Sequence, residues 1–404
     1  MVFPWESSCD SLGEGRSRNG ANHMFFYLIQ TSAVATALLI ILRHHHVFLR
    51  IQVVLWAIGA ATIAWRFGVV GQLDFYSNDQ RYYNFVVEMY SRERWILNEK
   101  LSFVDSKTPY TLPAVLVRLL GFHPTLALKI VSLVSLLTLS HLILKRYDAH
   151  RFSAQVKLLY FTACGAIGTF FAMLALRETT MMLFAYLYTF GKAPQLRMTS
   201  LILLFLLRPH LAAALFVAEL ITSGWKWITA KRDTGFFATP AVLTMSVAFG
   251  TVLYTLQNVP GSQDDDPAGK NVFVAQAIRI VSNFVGLQFL TVPESTVNFS
   301  ISSLVLLRFI LSETVTIPTF FTLICVLRSF RLRDRELFVL SAFALYVSVV
   351  TNTDFNSFRQ NVPFIPLMGI VIIDYLCQRA ARKVRFNRYA PVNGWVPLRR
   401  VPTP

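Results

Sequence analysis

Long apolar runs recur along this chain and bound every other reading of it. Ile51 to Ala64 and Leu201 to Leu207 are two examples. A soluble amphipathic helix changes from apolar to polar every few residues; these runs do not. A tilted helix needs about 20 apolar residues to cross a bilayer core. The pattern repeats often enough to predict an all-α, polytopic membrane protein with about ten or eleven membrane segments. Composition agrees. Only 15% of residues are charged, against roughly 25% in soluble domains.

The segments read from hydropathy are 24–42, 51–70, 125–144, 156–176, 179–190, 199–207, 211–223, 236–257, 301–327, 337–352 and 361–378. They divide the chain into a polar N-terminal extension (1–23), one polytopic membrane domain (24–378) and a basic tail (379–404). Met24 offers an alternative start after the extension. Outer loops are expected at 71–124 and 258–300.

A net charge of +16 first suggests nucleic acid. Here the Lys and Arg residues gather in short clusters between apolar runs, which is how a membrane protein fixes its orientation. No nucleic-acid partner is expected. Arg379 to Arg400 in the tail, Arg328 to Arg335, Lys226 to Arg232, Lys192 with Arg197, Lys145 to Arg151, and Arg43 with Arg50 fall on one side when the segments alternate. Loop 71–124 is balanced in charge, and loop 258–300 leans acidic through Asp264, Asp265 and Asp266. The predicted topology puts the N-terminus outside and the C-terminus in the cytoplasm, in a bacterial inner membrane.

That count requires 199–207 and 211–223 to be separate segments. Each is short for a bilayer. Together they form a hairpin or broken helix with Arg208-Pro209-His210 at its tip, where proline disfavours continuous helix. One kinked helix would instead leave Arg208 in mid-membrane. Thr108 to Phe122 reads as a helix lying at the interface.

Ionisable residues at membrane depth are costly, so each is a functional candidate. The outer set is Asp74, Asp79, Arg81, Tyr82, Tyr83, Arg177, Glu178, Arg208, His210 and Arg359, with Asp354 nearby. Each also has a bland alternative. Asp74, Asp79 and Arg81 can solvate a loop, Arg177 and Glu178 can close a helix end as an ion pair, and Arg359 can snorkel. Arg118 and Lys129 read as interface anchors. Their convergence on one face suits an anion at the membrane surface. Arg grips phosphate oxygens through a planar fork and keeps its proton. A polyprenyl diphosphate is such an anion. A carboxylate or His could deprotonate an attacking sugar hydroxyl, while Arg residues stabilise the departing diphosphate.

Cys9, Cys164, Cys325 and Cys377 fit no metal or redox spacing. The run His44, His45, His46 has no carboxylate or Cys beside it in sequence, so it reads as a polar loop. No metal and no cofactor are expected. No Walker A sequence is present, and the inner side offers no room for a nucleotide-sugar domain.

The opening resembles Wzy-type oligosaccharide repeat-unit polymerases and the wider GT-C-like membrane glycosyltransferases. The shared layout is a helix (Met24–Leu42), a basic inner loop (Arg43–Arg50), a second helix (Ile51–Val70) and an outer loop reading Asp74-Phe-Tyr-Ser-Asn-Asp79-Gln-Arg-Tyr-Tyr83. Thr108 to Gly121, Leu176-Arg-Glu178, Leu207-Arg-Pro-His210 and Phe358 to Pro366 resemble Arg-bearing outer elements of both groups. Arg208 and Gly224 match an Arg-x15-Gly spacing. Gln80 follows Asp79 where protein-mannosyltransferase-like enzymes carry an Asp-Glu pair, so the base stays open.

The resemblance implies polymerisation of undecaprenyl-diphosphate-linked oligosaccharide repeats for O-antigen, capsule or exopolysaccharide. It implies Asp74, Asp79, Glu178 or His210 as base, and Arg81, Tyr82, Tyr83, Arg177, Arg208 and Arg359 as substrate-binding residues. Membrane lipid and a chain-length regulator protein are the implied partners. A single-sugar transferase using a polyprenyl-phosphate sugar is the nearest alternative. A polysaccharide or lipid transporter comes third, because it predicts polar residues through the full membrane depth.

Overall fold

The structure, a computed structural model, describes residues 17–69, 78–91, 107–148, 164–229, 334–350 and 361–389, together with 157, 158, 160, 244–246 and 248. Among the described residues every regular element is helical. The helices are α1 (Ser17–Ile41), α2 (Val47–Val69), α3 (Asn78–Ser91), α4 (Thr108–Leu119), α5 (Pro124–Arg146), α6 (Ala166–Met173), α7 (Glu178–Phe190), α8 (Pro194–Leu207), α9 (Pro209–Thr229), α10 (Asp334–Val350) and α11 (Ile365–Tyr389). A short 3-10 turn, Val362–Phe364, leads into α11.

Local chemistry sets several boundaries. Proline opens α5, α8 and α9, where its missing N–H costs nothing and its fixed φ suits the first turn. Lys145 and Arg146 close α5 against its carbonyl end. Gly191 ends α7, because a Cβ there would collide with the Leu187 carbonyl oxygen.

Among the described residues three helical stretches are long and apolar enough to cross a membrane: Met24–His44, Val47–Trp65 and Pro124–Arg146. Pro194–Leu207, Pro209–Gly224 and Val362–Cys377 are shorter apolar helices. Phe25, Ile29, Ile58, Trp65, Leu116, Ile202 and Phe205 face outward, which suits lipid better than water. The protein is a helical membrane protein. The expected segments 236–257 and 301–327, loop 258–300 and the end of the tail lie largely or wholly outside the described residues.

The first helix begins at Ser17, so the end of the polar extension is helical too. The break between the expected segments 156–176 and 179–190 falls at the turn through Ala175, between α6 and α7. One expectation needs correction. Lys129, expected at the interface, is fully buried on α5, with Nζ 5.4 Å from the centre of the Tyr27 ring.

Helix α5 is the hub, packing against α2, α3, α4, α6 and α7. Its inward side carries Ser132, Ser135 and Ser140, each buried and each bonded across a helix interface. Ser132 Oγ donates to the Leu176 carbonyl (3.0 Å). Ser135 pairs with Thr180 (3.1 Å), and Gln52 Nε2 donates to Ser140 (3.1 Å). Polar groups therefore span much of the depth of the bundle, rather than one end only. Satisfied Ser and Thr side chains join membrane helices in this way, so their depth does not itself indicate transport.

The α8–α9 pair is a true hairpin. A straight helix would hold Arg197 and Glu219 about 33 Å apart. Instead Arg197 Nη2 bonds Glu219 Oε1, and Tyr188 donates to the other carboxylate oxygen. Helix α8 has 14 residues, about 21 Å of rise, and so is shorter than a hydrocarbon core of about 30 Å.

Candidate functional site

The hairpin tip meets the α6–α7 turn. Ala175 holds φ at +54°, in the left-handed region that residues with a Cβ seldom occupy. The next carbonyl, that of Leu176, is held by Ser132, which also pairs with the Tyr110 hydroxyl (3.0 Å). Ser132 lies about two turns into α5, so this turn is recessed about 12 Å from the Pro124 end of that helix.

Arg177 follows. Its Nη1 donates to the Leu207 carbonyl (2.8 Å), at the last residue of α8. Its Cζ lies 5.9 Å from the centre of the Tyr83 ring on α3. Tyr83 is 2% exposed and packs edge-on against Tyr110 of α4, at 5.4 Å. Arg208 is the next residue after Leu207, in extended backbone (φ −155°, ψ 93°) that breaks the helix before Pro209. Its Cζ stands 5.5 Å over the Tyr346 ring of α10, and Tyr346 packs on Phe364 at 5.3 Å. One short bond thus brings two Arg residues, distant in sequence, to the same end of the bundle within an aromatic frame. Among the described residues neither has a carboxylate in ion-pair range.

Glu178 is fully buried in the first turn of α7, where the helix dipole favours a carboxylate. Arg177 Nε and the Thr179 hydroxyl are buried with no hydrogen-bond partner among the described residues. His210 lies in the first turn of α9, exposed beside the tip. Asp79 opens α3, one turn before Tyr83. Tyr82 is half-buried, 6.0 Å edge-on from Tyr83. Arg81 lies on the same helix. Asp74, Asp354 and Arg359 lie outside the described residues. The structure therefore joins Arg177, Arg208 and Tyr83 and places Glu178 and His210 next to the two Arg residues in sequence.

Tyr110, Ser132 and Tyr346 frame this region and were missed as site residues. One signal was legible: Lys129, Ser132 and Ser135 recur at helical spacing within an apolar run. Gly224 has open space where a Cβ would stand, so packing does not explain its spacing from Arg208.

The three consecutive His side chains diverge. His44 accepts from Arg43 Nε (2.8 Å), His45 packs edge-on against His141, and His46 Nε2 is 3.1 Å from Asp148. Among the described residues no group of three or more His, Cys, Asp or Glu is placed to hold a metal. No protein-family model matches the chain, and no curated protein or solved structure matches it either.

Proposed function

We propose that the protein is a GT-C-like glycosyltransferase of the bacterial inner membrane that polymerises undecaprenyl-diphosphate-linked oligosaccharide repeats at the outer face. The observation that carries this reading is the bond from Arg177 to the Leu207 carbonyl, which sets Arg177 beside Arg208. Two guanidinium groups in an aromatic recess suit a diphosphate, whose charge grows as it leaves. In this mechanism the acceptor sugar hydroxyl attacks the anomeric carbon of the growing chain. The new carbon–oxygen bond forms, the bond to the diphosphate breaks, and the diphosphate leaves with the electron pair. The hydroxyl proton passes to Asp74, Asp79, Glu178 or His210. Arg177, Arg208 and Arg359 hold the diphosphate, and Arg81, Tyr82 and Tyr83 line the approach. A chain-length regulator would be its protein partner.

The test is deletion of the gene in its own host, followed by electrophoresis of the surface polysaccharide. A lost ladder with one repeat unit still attached supports a polymerase. A shortened repeat unit points to single-sugar transfer, and an unchanged ladder overturns both. Complementation with Arg208→Gln should then leave the ladder missing while insertion stays normal, because the Arg208 side chain makes only a ring contact among the described residues.

A further inference from the structure

At the opposite end of the bundle α5 and α7 finish, and α8 and α10 begin. There the Arg146 and Arg335 guanidinium groups approach one ring: their Cζ atoms lie 4.9 and 5.9 Å from the centre of Phe190. Phe190 is 9% exposed. Tyr186, one turn earlier on α7, stacks at 5.3 Å on that ring and lies within electrostatic reach of both Arg residues and of Asp374. Asp374 of α11 is already committed. It accepts from Arg146 Nη2 (2.8 Å) and from the Tyr147 hydroxyl (2.9 Å). Among the described residues no carboxylate stands within ion-pair range of Arg335. Two like charges approach one ring, and among the described residues only Arg146 has a carboxylate in ion-pair range.

We infer that this cluster is a binding site for the phosphoryl headgroup of an anionic phospholipid. Arg335 and the free N–H groups of Arg146 donate to the phosphate oxygens, and the Tyr186 hydroxyl adds a third donor. The geometry suits phosphate because guanidinium forks bind its oxygens through paired N–H groups. The source is lipid because the cluster sits at the Arg146 end of α5, a helix long and apolar enough to cross a membrane, where headgroups would lie. Basic pockets between membrane helices bind such lipids on the side that carries the basic loops. This site is separate from Arg177 and Arg208 and does not depend on the glycosyltransferase reading.

Thermal unfolding of the purified full-length protein in detergent tests the idea. Short-chain phosphatidylglycerol, short-chain phosphatidylcholine and inorganic phosphate are titrated separately. Phosphatidylglycerol should raise Tm saturably, and phosphatidylcholine should not. Arg335→Gln should shift the titration midpoint to about fivefold higher lipid concentration, as expected for one basic residue near an anionic surface. Tyr186→Phe removes a single oxygen and should shift it about threefold. It keeps the test open if the Arg335 variant fails to fold. Wild-type midpoints in the folded variants overturn the site. A Tm rise with inorganic phosphate equal to that with phosphatidylglycerol overturns the lipid assignment.

Discussion

Ala175 is one of two described residues with a Cβ held in the left-handed region, Lys107 being the other. A left-handed φ costs an L-residue about 1–2 kcal/mol. Here the bonds on either side over-determine the turn: Ser132 holds the Leu176 carbonyl, and Arg177 is tied to Leu207. Such outliers gather at functional sites. Ala175→Gly should remove the Cβ conflict and raise Tm by the equivalent of about 0.5–1 kcal/mol, while Ala175→Val should lower it; unfolding curves of the three proteins decide. At the other end, Asp148 is exposed and bonded by Lys157 and His46. Its carboxyl is pulled below the usual carboxylate range, chiefly by the hydrogen bond from Lys157 and further by the charges of Lys157 and His46. Its contribution is present above the unfolded carboxyl value of about 4 and is lost as pH falls through the lowered folded value. Asp148→Asn should therefore flatten the acid side of a stability-against-pH profile measured from pH 2 to 6 and leave the slope near pH 7 unchanged.

Among elements, the long helices were legible because their apolar runs are a property of composition. The hairpin was legible because Arg208-Pro209 interrupts a run too short to cross twice. The break between α6 and α7 was legible as the gap at Arg177-Glu178 between two apolar runs, but its geometry was not, because long-range bonds to Ser132 and Leu207 set it. Lys129 was misread for a related reason. A lysine near a helix start looks like a snorkelling anchor until α1, distant in sequence, lays Tyr27 over it. In the site, the Arg residues could be picked out one by one, but the carbonyl that joins them could not. Close packing also escaped the sequence. A Cβ on Gly168 of α6 would overlap Leu136 Cδ1, and one on Gly59 of α2 would overlap the Met173 sulfur. Small residues permit such approach between membrane helices. Gly168→Ala should cost about 1–3 kcal/mol, as overpacking does, because Leu136 is fully buried with little room to turn. Combined with Leu136→Ala, the total loss should be smaller than the sum of the two single losses; two losses that simply add would overturn the contact as the cause.

Across the whole molecule the contacts assign directions to six of the described helices. Helix α1 passes His123 at Tyr27 and leads to His46, which meets Asp148 just beyond the far end of α5. Helices α5 and α7 both run from the recess to the Arg146–Phe190 end. Helix α8 returns to the recess, and α9 leaves it again. Arg335, at the start of α10, stands with Phe190, whereas Tyr346 stands under Arg208. Helix α9 therefore finishes at the same end of the bundle at which α10 begins. The topology read from the basic clusters puts the short connection at Lys192 inside and the tip at His210 outside. Single cysteines test this in a chain whose Cys9, Cys164, Cys325 and Cys377 have been replaced by Ser. In intact cells with a permeabilised outer membrane, an impermeant maleimide should label His210→Cys directly. Lys192→Cys should react only after the inner membrane is opened. The reverse pattern would invert the orientation drawn from the basic clusters, and labelling of both from one side would remove the hairpin as a membrane-crossing unit.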